Sequence, residues 1–363
     1  MINFSNKLSL QETAEAIADF GHKVPMFVCG EPGIGKSAMG REVARLRGHE
    51  VFSVIDCATL ELGDTGTPYQ NKDEGCTEFL PNARFGIHRG KDLTMMLDEF
   101  TKSMRPVMNM LMPVFNDKRL YDKYLTPESV VFATGNLTTD GVNDAMPPHF
   151  VSRTDIIYTR KPTAEEWVQW GAENGISPSV LAWALAYPHA FQSYTDFEAG
   201  TFDPKAPPNP YIFFPQLPKN SFVCPRSLER ASYIVDARER RGDSVTFSCL
   251  SGAIGKSAAG DMQAYITVID ELEDWDKIIA MPDKVRIPEN PIAVNVQIQQ
   301  AMMKSTKETL SPIVKYIKRL PRESQAVFGT SLYKLKDKRD IAIRNREFAE
   351  WAVQNHWMLP DVK

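Results

Sequence analysis

One stretch constrains this chain more than any other: Gly30-Glu31-Pro32-Gly33-Ile34-Gly35-Lys36-Ser37 fits G-x-x-x-x-G-K-[ST] at every defined position. Such a loop needs a strand before it and a helix after it. Pro25-Met26-Phe27-Val28-Cys29 is a short apolar run of buried-strand type, and Ala38 to Leu46 reads as a helix that begins at the loop. Glycines at 30, 33 and 35 let the backbone turn its N–H groups inward around phosphate oxygens, where a Cβ would obstruct the approach. The expected cradle is therefore Gly30, Glu31, Pro32, Gly33, Ile34, Gly35, Lys36, Ser37 and Ala38. Lys36 reaches the β and γ phosphates of a nucleoside triphosphate, Ser37 offers a hydroxyl to Mg²⁺, and the helix dipole faces the same charge. The plain alternative is a glycine turn before an ordinary helix.

Two further strands supply what hydrolysis needs. Leu93-Thr94-Met95-Met96-Leu97 is an apolar run that ends in Asp98 and Glu99, as expected of a buried strand delivering carboxylates at its C-terminal edge. Asp98 is placed in the Mg²⁺ shell, and Glu99 is placed to polarise the attacking water. A strand followed by an acidic helix N-terminus would look the same. Ser129-Val130-Val131-Phe132-Ala133-Thr134 is the next strand, and it stops at Gly135-Asn136. The Asn136 amide can orient the lytic water on the same edge as Asp98; its ordinary role would be a turn residue.

With these three elements in order, the chain resembles the AAA+ ATPases, with Gly30 to Ser37 as Walker A, Met95 to Glu99 as Walker B and Asn136 as sensor 1. Within them it is most similar to the MoxR group. Leu62-Gly63-Asp64-Thr65-Gly66-Thr67-Pro68 with Phe79-Leu80-Pro81 resembles that group's insertion in the second helix region. Asn116 to Leu120 through Leu125-Thr126-Pro127 resembles its hairpin before sensor 1, and Val131 to Asn136 matches its ATGN pattern. The resemblance spans roughly residues 20 to 260. It implies that Arg153, just before the apolar run Ile156-Ile157-Tyr158, is an arginine finger acting on a neighbour's nucleotide. It also implies that Arg226, in Cys224-Pro225-Arg226-Ser227-Leu228-Glu229-Arg230, is sensor 2 of a helical lid, with Arg230 one turn later as the competing candidate.

A second loop imitates the first. Ser251-Gly252-Ala253-Ile254-Gly255-Lys256-Ser257 follows an apparent strand, Val245-Thr246-Phe247, but the position that requires glycine holds Leu250. Ile266 to Glu271 imitates the acidic strand, yet it lies too close to Lys256 for a helix and strand to intervene. Ser257 to Trp275 reads instead as an amphipathic lid helix with Met262, Tyr265, Ile269 and Leu272 near one face.

Composition sets the remaining bounds. At 363 residues, 43% hydrophobic and 24% charged, the chain is long enough for two or three packed units of a soluble globular protein. No apolar run approaches a membrane span, and Met1 to Leu10 lacks a basic region followed by an apolar one, so the expected location is cytoplasmic, with no membrane partner. Cysteines at 29, 57, 76, 224 and 249 show no paired short spacing, which points to neither a zinc site nor a disulfide framework. A net charge of −4 gives no global pull toward nucleic acid. Locally, Lys315, Lys318, Arg319, Arg322, Lys334, Lys336, Lys338, Arg339, Arg344 and Arg346 outweigh their acids, which suits either a solvated helix face or a nucleic-acid contact.

The expected fold class is α/β: a P-loop NTPase parallel-sheet core over residues 1–160, a helical lid over 161–281 and a C-terminal helical extension over 282–363. The proline-rich stretch Pro204 to Pro225 interrupts the lid as a long loop. In the extension, Ile298 to Lys304, Glu308 to Leu320 and Asp340 to Gln354 show helical patterns. The resemblance implies ATP and Mg²⁺ as ligands, a closed homo-oligomeric ring, most often a hexamer, and chaperone-like remodelling of a protein client. A partner with a von Willebrand factor A domain is the usual companion of that group. Residues 64–79 and 118–123 are the candidate client-facing loops, where Tyr69, Phe79, Tyr121 and Tyr124 either grip an extended segment or pin the loops to their own domain. A nucleic-acid-stimulated motor and an ATP-gated scaffold with little turnover are the competing readings.

Overall fold

The structure is a computed structural model that describes residues 7–137, 148–197, 207–215, 221–270 and 272–355. Its strands run in chain order as β1 (Met26–Cys29), β2 (Val51–Asp56), β3 (Gly66–Asn71), β4 (Cys76–Pro81), β5 (Leu93–Asp98), β6 (Arg119–Leu120), β7 (Lys123–Tyr124), β8 (Val130–Gly135) and β9 (Asp155–Tyr158). Five of these form a parallel sheet in the order β2-β5-β8-β1-β9. Side chains alternate between two covered faces. Met26, Val28, Met96, Val130 and Phe132 pack with Ala14, Ile17, Met39 and Val43 from α1 (Leu10–Phe20) and α2 (Lys36–Arg47). Phe27, Cys29, Met95, Leu97, Val131 and Ala133 belong to the opposite core with Val107, Leu111 and Phe115 of α3 (Arg105–Asp117). Strands β1, β5 and β8, flanked by others and covered on both faces, are buried along almost their whole length, whereas the edge strands β2 and β9 carry exposed residues such as Val54 and Asp155.

The segment resembling an insertion in the second helix region is a β-ribbon. A 3-10 turn, Leu62–Asp64, leads into antiparallel β3–β4, and β6–β7 forms a second, shorter ribbon. Aromatic side chains tie the two together. Phe79 stacks on Tyr121 with centroids 4.5 Å apart, the Tyr121 hydroxyl lies 2.5 Å from Thr65 Oγ1, and Tyr69 donates to Glu78 at 2.5 Å. Three of the four aromatics thus serve their own ribbons, while Tyr124 remains 67% exposed.

The short helix α4 (Pro148–Val151) precedes β9, and after that strand the elements among the described residues are helical: α5 (Ala164–Glu173), α6 (Pro178–Ala186), α7 (Pro225–Asp236), α8 (Arg238–Arg241), α9 (Asp243–Ile254) and α10 (Lys256–Asp270). The apparent strand Val245-Thr246-Phe247 is a correction: it lies inside α9. Thr246, Leu250, Ala253 and Ile254 recur at helical spacing and are buried, and that tertiary packing overrides the local β preference. The second glycine loop is a corner between two helices, turned by Gly255 at φ 88°. The predicted lid helix stops at Asp270 instead of reaching Trp275, although Met262 and Tyr265 on it are buried as expected. Of the proline-rich stretch, residues 207–215 are irregular but packed, with Tyr211, Ile212 and Phe214 buried. Asn209 organises them by donating to His189 O at 2.7 Å and to Gln192 Oε1 at 2.9 Å. Residues 204–206 and 216–220 lie outside the described residues.

A second helical core follows, built from α11 (Trp275–Ala280), α12 (Pro291–Lys304), α13 (Leu310–Ile317), α14 (Arg322–Lys334), α15 (Lys336–Arg344) and α16 (Arg346–Gln354). The pattern read as continuous over Asp340 to Gln354 breaks at Asn345, whose side chain caps α16 by accepting from Phe348 N at 3.0 Å. Much of the basic stretch is spent internally: Lys318 pairs with Glu347 at 3.1 Å, Arg346 with Glu350 at 2.8 Å, and Arg319 donates to Val285 O at 2.8 Å. No helix among the described residues is long and apolar enough to cross a membrane.

Gly329 of α14 lets the Trp351 ring of α16 approach, since a Cβ there would lie 2.2 Å from Trp351 Cη2. Gly329→Ala is expected to lower stability by about 1–3 kcal/mol through overpacking. A urea midpoint equal to that of the native chain would show that the indole yields without cost.

Candidate nucleotide-binding site

Strand register brings the predicted residues to one edge. Val28 pairs with Thr134 and Cys29 with Gly135, while Leu97 pairs with Ala133, so the glycine loop, Asp98 and Asn136 leave the sheet at one level. Because β8 lies between β1 and β5, the loop and the acid start roughly 10 Å apart, two strand spacings. Side chains close that gap. Ser37 Oγ donates to Asp98 Oδ2 at 3.3 Å, Thr134 Oγ1 donates to Asp98 Oδ1 at 2.5 Å, and Glu99 N donates to the same oxygen at 3.1 Å. Lys36 Nζ donates to Gly30 O at 2.8 Å, Glu31 O at 2.9 Å and Asn136 Oδ1 at 3.1 Å. Lysine, hydroxyl, carboxylate and amide are therefore linked in one constellation.

The loop's conformation demands its glycines at two places. Gly33 and Gly35 have φ of 75° and 115°, and Gly35 caps α2, which begins at Lys36. The first-turn amides of α2 then face the cradle, as an anion site requires. Ile34 is buried and fixes the loop's underside. Glu99 is also left-handed, at φ 50°, and starts a 3-10 turn, Phe100–Lys102. A non-glycine residue in that region marks stored strain. Lys102 Nζ holds Glu99 Oε2 at 2.9 Å. Cys57, next to Asp98 through a backbone bond of 3.0 Å, is no nucleophile: burial and the carboxylates of Asp98 and Asp56 push its thiol far up.

The lid touches the loop directly. Arg226 N donates to Gly33 O at 3.2 Å, and a Cβ on Gly33 would lie 2.6 Å from Cys224 Sγ. The first turn of α7 therefore rests on the glycine loop, with the Arg226 side chain exposed beside it and Arg230 one turn farther along. Arg153 is placed differently. It lies between α4 and β9, and β9 starts with Asp155 opposite Met26, at the far end of β1 from the loop. The strand alone interposes about 10 Å, so the structure does not bring Arg153 to its own loop. Sequence reasoning assigned the Glu31 side chain no part, yet it is 7% exposed and accepts a hydrogen bond from Ser193 Oγ of the lid. No local signal marks that contact. Glu74, Cys76 and Glu78 also converge to within 4.8 Å on the β3–β4 ribbon, where Asn71 Nδ2 donates to Glu78 at 2.6 Å.

No protein-family model and no curated protein matches the chain. Among solved structures, it is similar to the RuvB Holliday junction branch migration motor of Thermotoga maritima, at 13% identity and a TM-score of 0.36, over 76% of this chain and 75% of that one. NtrX from Brucella abortus in complex with ADP matches at 13% identity and a TM-score of 0.39, over 91% of this chain and 67% of that one. Likeness of this size carries no weight for activity or partners, which rest on the chain's own geometry.

Glu99→Gly removes the left-handed strain and is expected to raise stability by about 1 kcal/mol. A urea midpoint below that of the native protein would show that the Lys102 ion pair outweighs the strain.

Proposed function

We propose that this chain is an ATP-hydrolysing AAA+ protein of the MoxR-like kind, assembling into a ring, a hexamer in the leading form, that remodels or activates a protein client. The observation that supports this most is the meeting of Lys36, Ser37, Asp98 and Asn136 at one sheet edge beneath the first turn of α7. In this reading the amides from Gly33 to Ala38 wrap the phosphates, and Lys36 exchanges loop carbonyls for β and γ oxygens. Ser37 and Asp98 are adjacent oxygen donors, which fits the one or two protein ligands that Mg²⁺ takes; what the ion supplies when bound is neutralisation of phosphate charge. Glu99 accepts a proton from water, Asn136 orients that water, and the new bond to the γ phosphorus forms as the bond to the β-phosphate oxygen breaks, leaving ADP and phosphate. Arg226 contacts the γ phosphate of its own subunit. Arg153, held at the opposite edge of its own sheet, suits a finger offered to a neighbour.

The two ribbons are the client-facing candidates, through exposed Leu80 and Tyr124; a von Willebrand factor A domain protein is the companion the resemblance suggests. A nucleic-acid motor is less well supported, because Lys318, Arg319 and Arg346 of the basic stretch are engaged within the chain. A scaffold with little turnover is the remaining reading, and kinetics separates it.

Glu99→Gln is expected to retain ATP and lose at least about 100-fold in turnover. Hydrolysis that survives in Lys36→Ala contradicts the assignment. Arg153→Ala subunits mixed with Glu99→Gln subunits are expected to recover activity at intermediate ratios, since mixed seams of one of the two orientations pair the intact Glu99 of an Arg153→Ala subunit with the intact Arg153 of a Glu99→Gln neighbour. No recovery at any ratio counts against a shared site.

A further inference from the structure

Between β9 and α5, at the joint of core and lid, Lys161 is 8% exposed. Its ammonium donates to three lid carbonyls: Ala190 O at 2.9 Å, Val223 O at 3.1 Å and Gln192 O at 3.4 Å. These acceptors come from two separate lid segments. Ala190 and Gln192 lie at the 3-10 turn Pro188–Phe191, and Val223 immediately precedes the first turn of α7, which bears Arg226. A lysine has three donors, and these acceptors match them in number.

A buried ammonium also needs an opposite charge. Burial pushes the Lys161 ammonium's pKa down, and the Glu31 carboxylate is the strongest influence pulling it back, followed by Cys224 and Asp196. Glu31 is in turn fixed from the lid side. Ser193 Oγ donates to it, Ser193 and Thr195 hydroxyls lie 2.6 Å apart, and Lys7 Nζ donates to Thr195 Oγ1 at 2.8 Å. Hydrogen bonds thus tie the joint to both lid segments and the glycine loop to one of them, and the attraction between the Lys161 and Glu31 charges links the two sets. The lid cannot lift from the loop without separating Ser193 from Glu31 or dragging Val223 away from Lys161.

We propose that Lys161 and Glu31 are positioning residues for nucleotide hydrolysis, which together seat the first turn of α7, and hence Arg226, on the phosphate loop. This inference rests on the ATPase reading above. Neither side chain touches the reacting atoms; both act through Arg226, so their loss and its loss remove the same thing.

The test uses the full chain with Lys161→Met, which keeps volume without charge, and Glu31→Gln, which keeps an acceptor for Ser193 without charge. Each is made alone and combined with Arg226→Ala, and ATP turnover, affinity for a fluorescent ADP analogue and melting temperature are measured. Each single variant is expected to lower kcat by about tenfold to a hundredfold, the cost of a misplaced group, with analogue affinity within about threefold of wild type. In the Arg226→Ala background neither is expected to change kcat by more than about twofold, the signature of residues acting as one unit. An unchanged kcat in the single variants overturns the proposal, and so do losses that multiply with that of Arg226→Ala. If Lys161→Met fails to melt cooperatively, Glu31→Gln decides by the same criteria. A wild-type protein that binds the analogue but never turns over ATP sinks the ATPase reading itself, and this inference with it.

Discussion

Strand β8, lying between β1 and β5, sets the geometry on which every chemical feature of this chain depends. It holds the glycine loop and the acid strand two strand spacings apart, and its own end supplies Thr134 and Asn136 to bridge the interval. Asp98 accepts from both sides of that gap, from Ser37 on α2 and from Thr134 on β8. A carboxylate fixed by two hydroxyls and a backbone amide has little freedom to turn, which is the kind of preorganisation that electrostatic catalysis draws on.

Local motifs were legible wherever the backbone itself dictates the chemistry. Gly33 and Gly35 are needed because the loop passes through positive φ, and no packing argument is required to see it. The buried strands announced themselves because both faces of the sheet are covered, leaving apolar runs at Met26–Cys29 and, apart from Thr94, at Leu93–Leu97. Long-range features left no such trace. Glu31 and Lys161 stand far apart in sequence; Glu31 is read only for its place in the loop and Lys161 carries no signal, until the fold buries both side chains. Val245-Thr246-Phe247 misled for the opposite reason: β-branched and aromatic residues signal a strand locally, but Leu250 and Ile254 bury a helical stripe against the lid. The ribbon β3–β4 escaped notice because its strands are largely exposed and short of apolar alternation.

Two kinds of constraint meet at the site. Glu99 is placed by strain, with a backbone conformation that a glycine would adopt more cheaply. Arg226 is placed by contact, through the Gly33 carbonyl and the Cys224 thiol against the loop. The first is intrinsic to the core, while the second depends on where the lid sits. Chemistry that needs both is sensitive to lid position even though its acid and its lysine belong to a rigid sheet edge.

Helix α12 extends that sensitivity outward. Val296 packs in the core that includes the lid, whereas Ile298 and Met302, on the same helix, pack in the C-terminal bundle. One rod is embedded in two bodies. The bundle is consequently an outrigger of the lid, so that any displacement of the lid against the glycine loop would carry the bundle's outer surface with it.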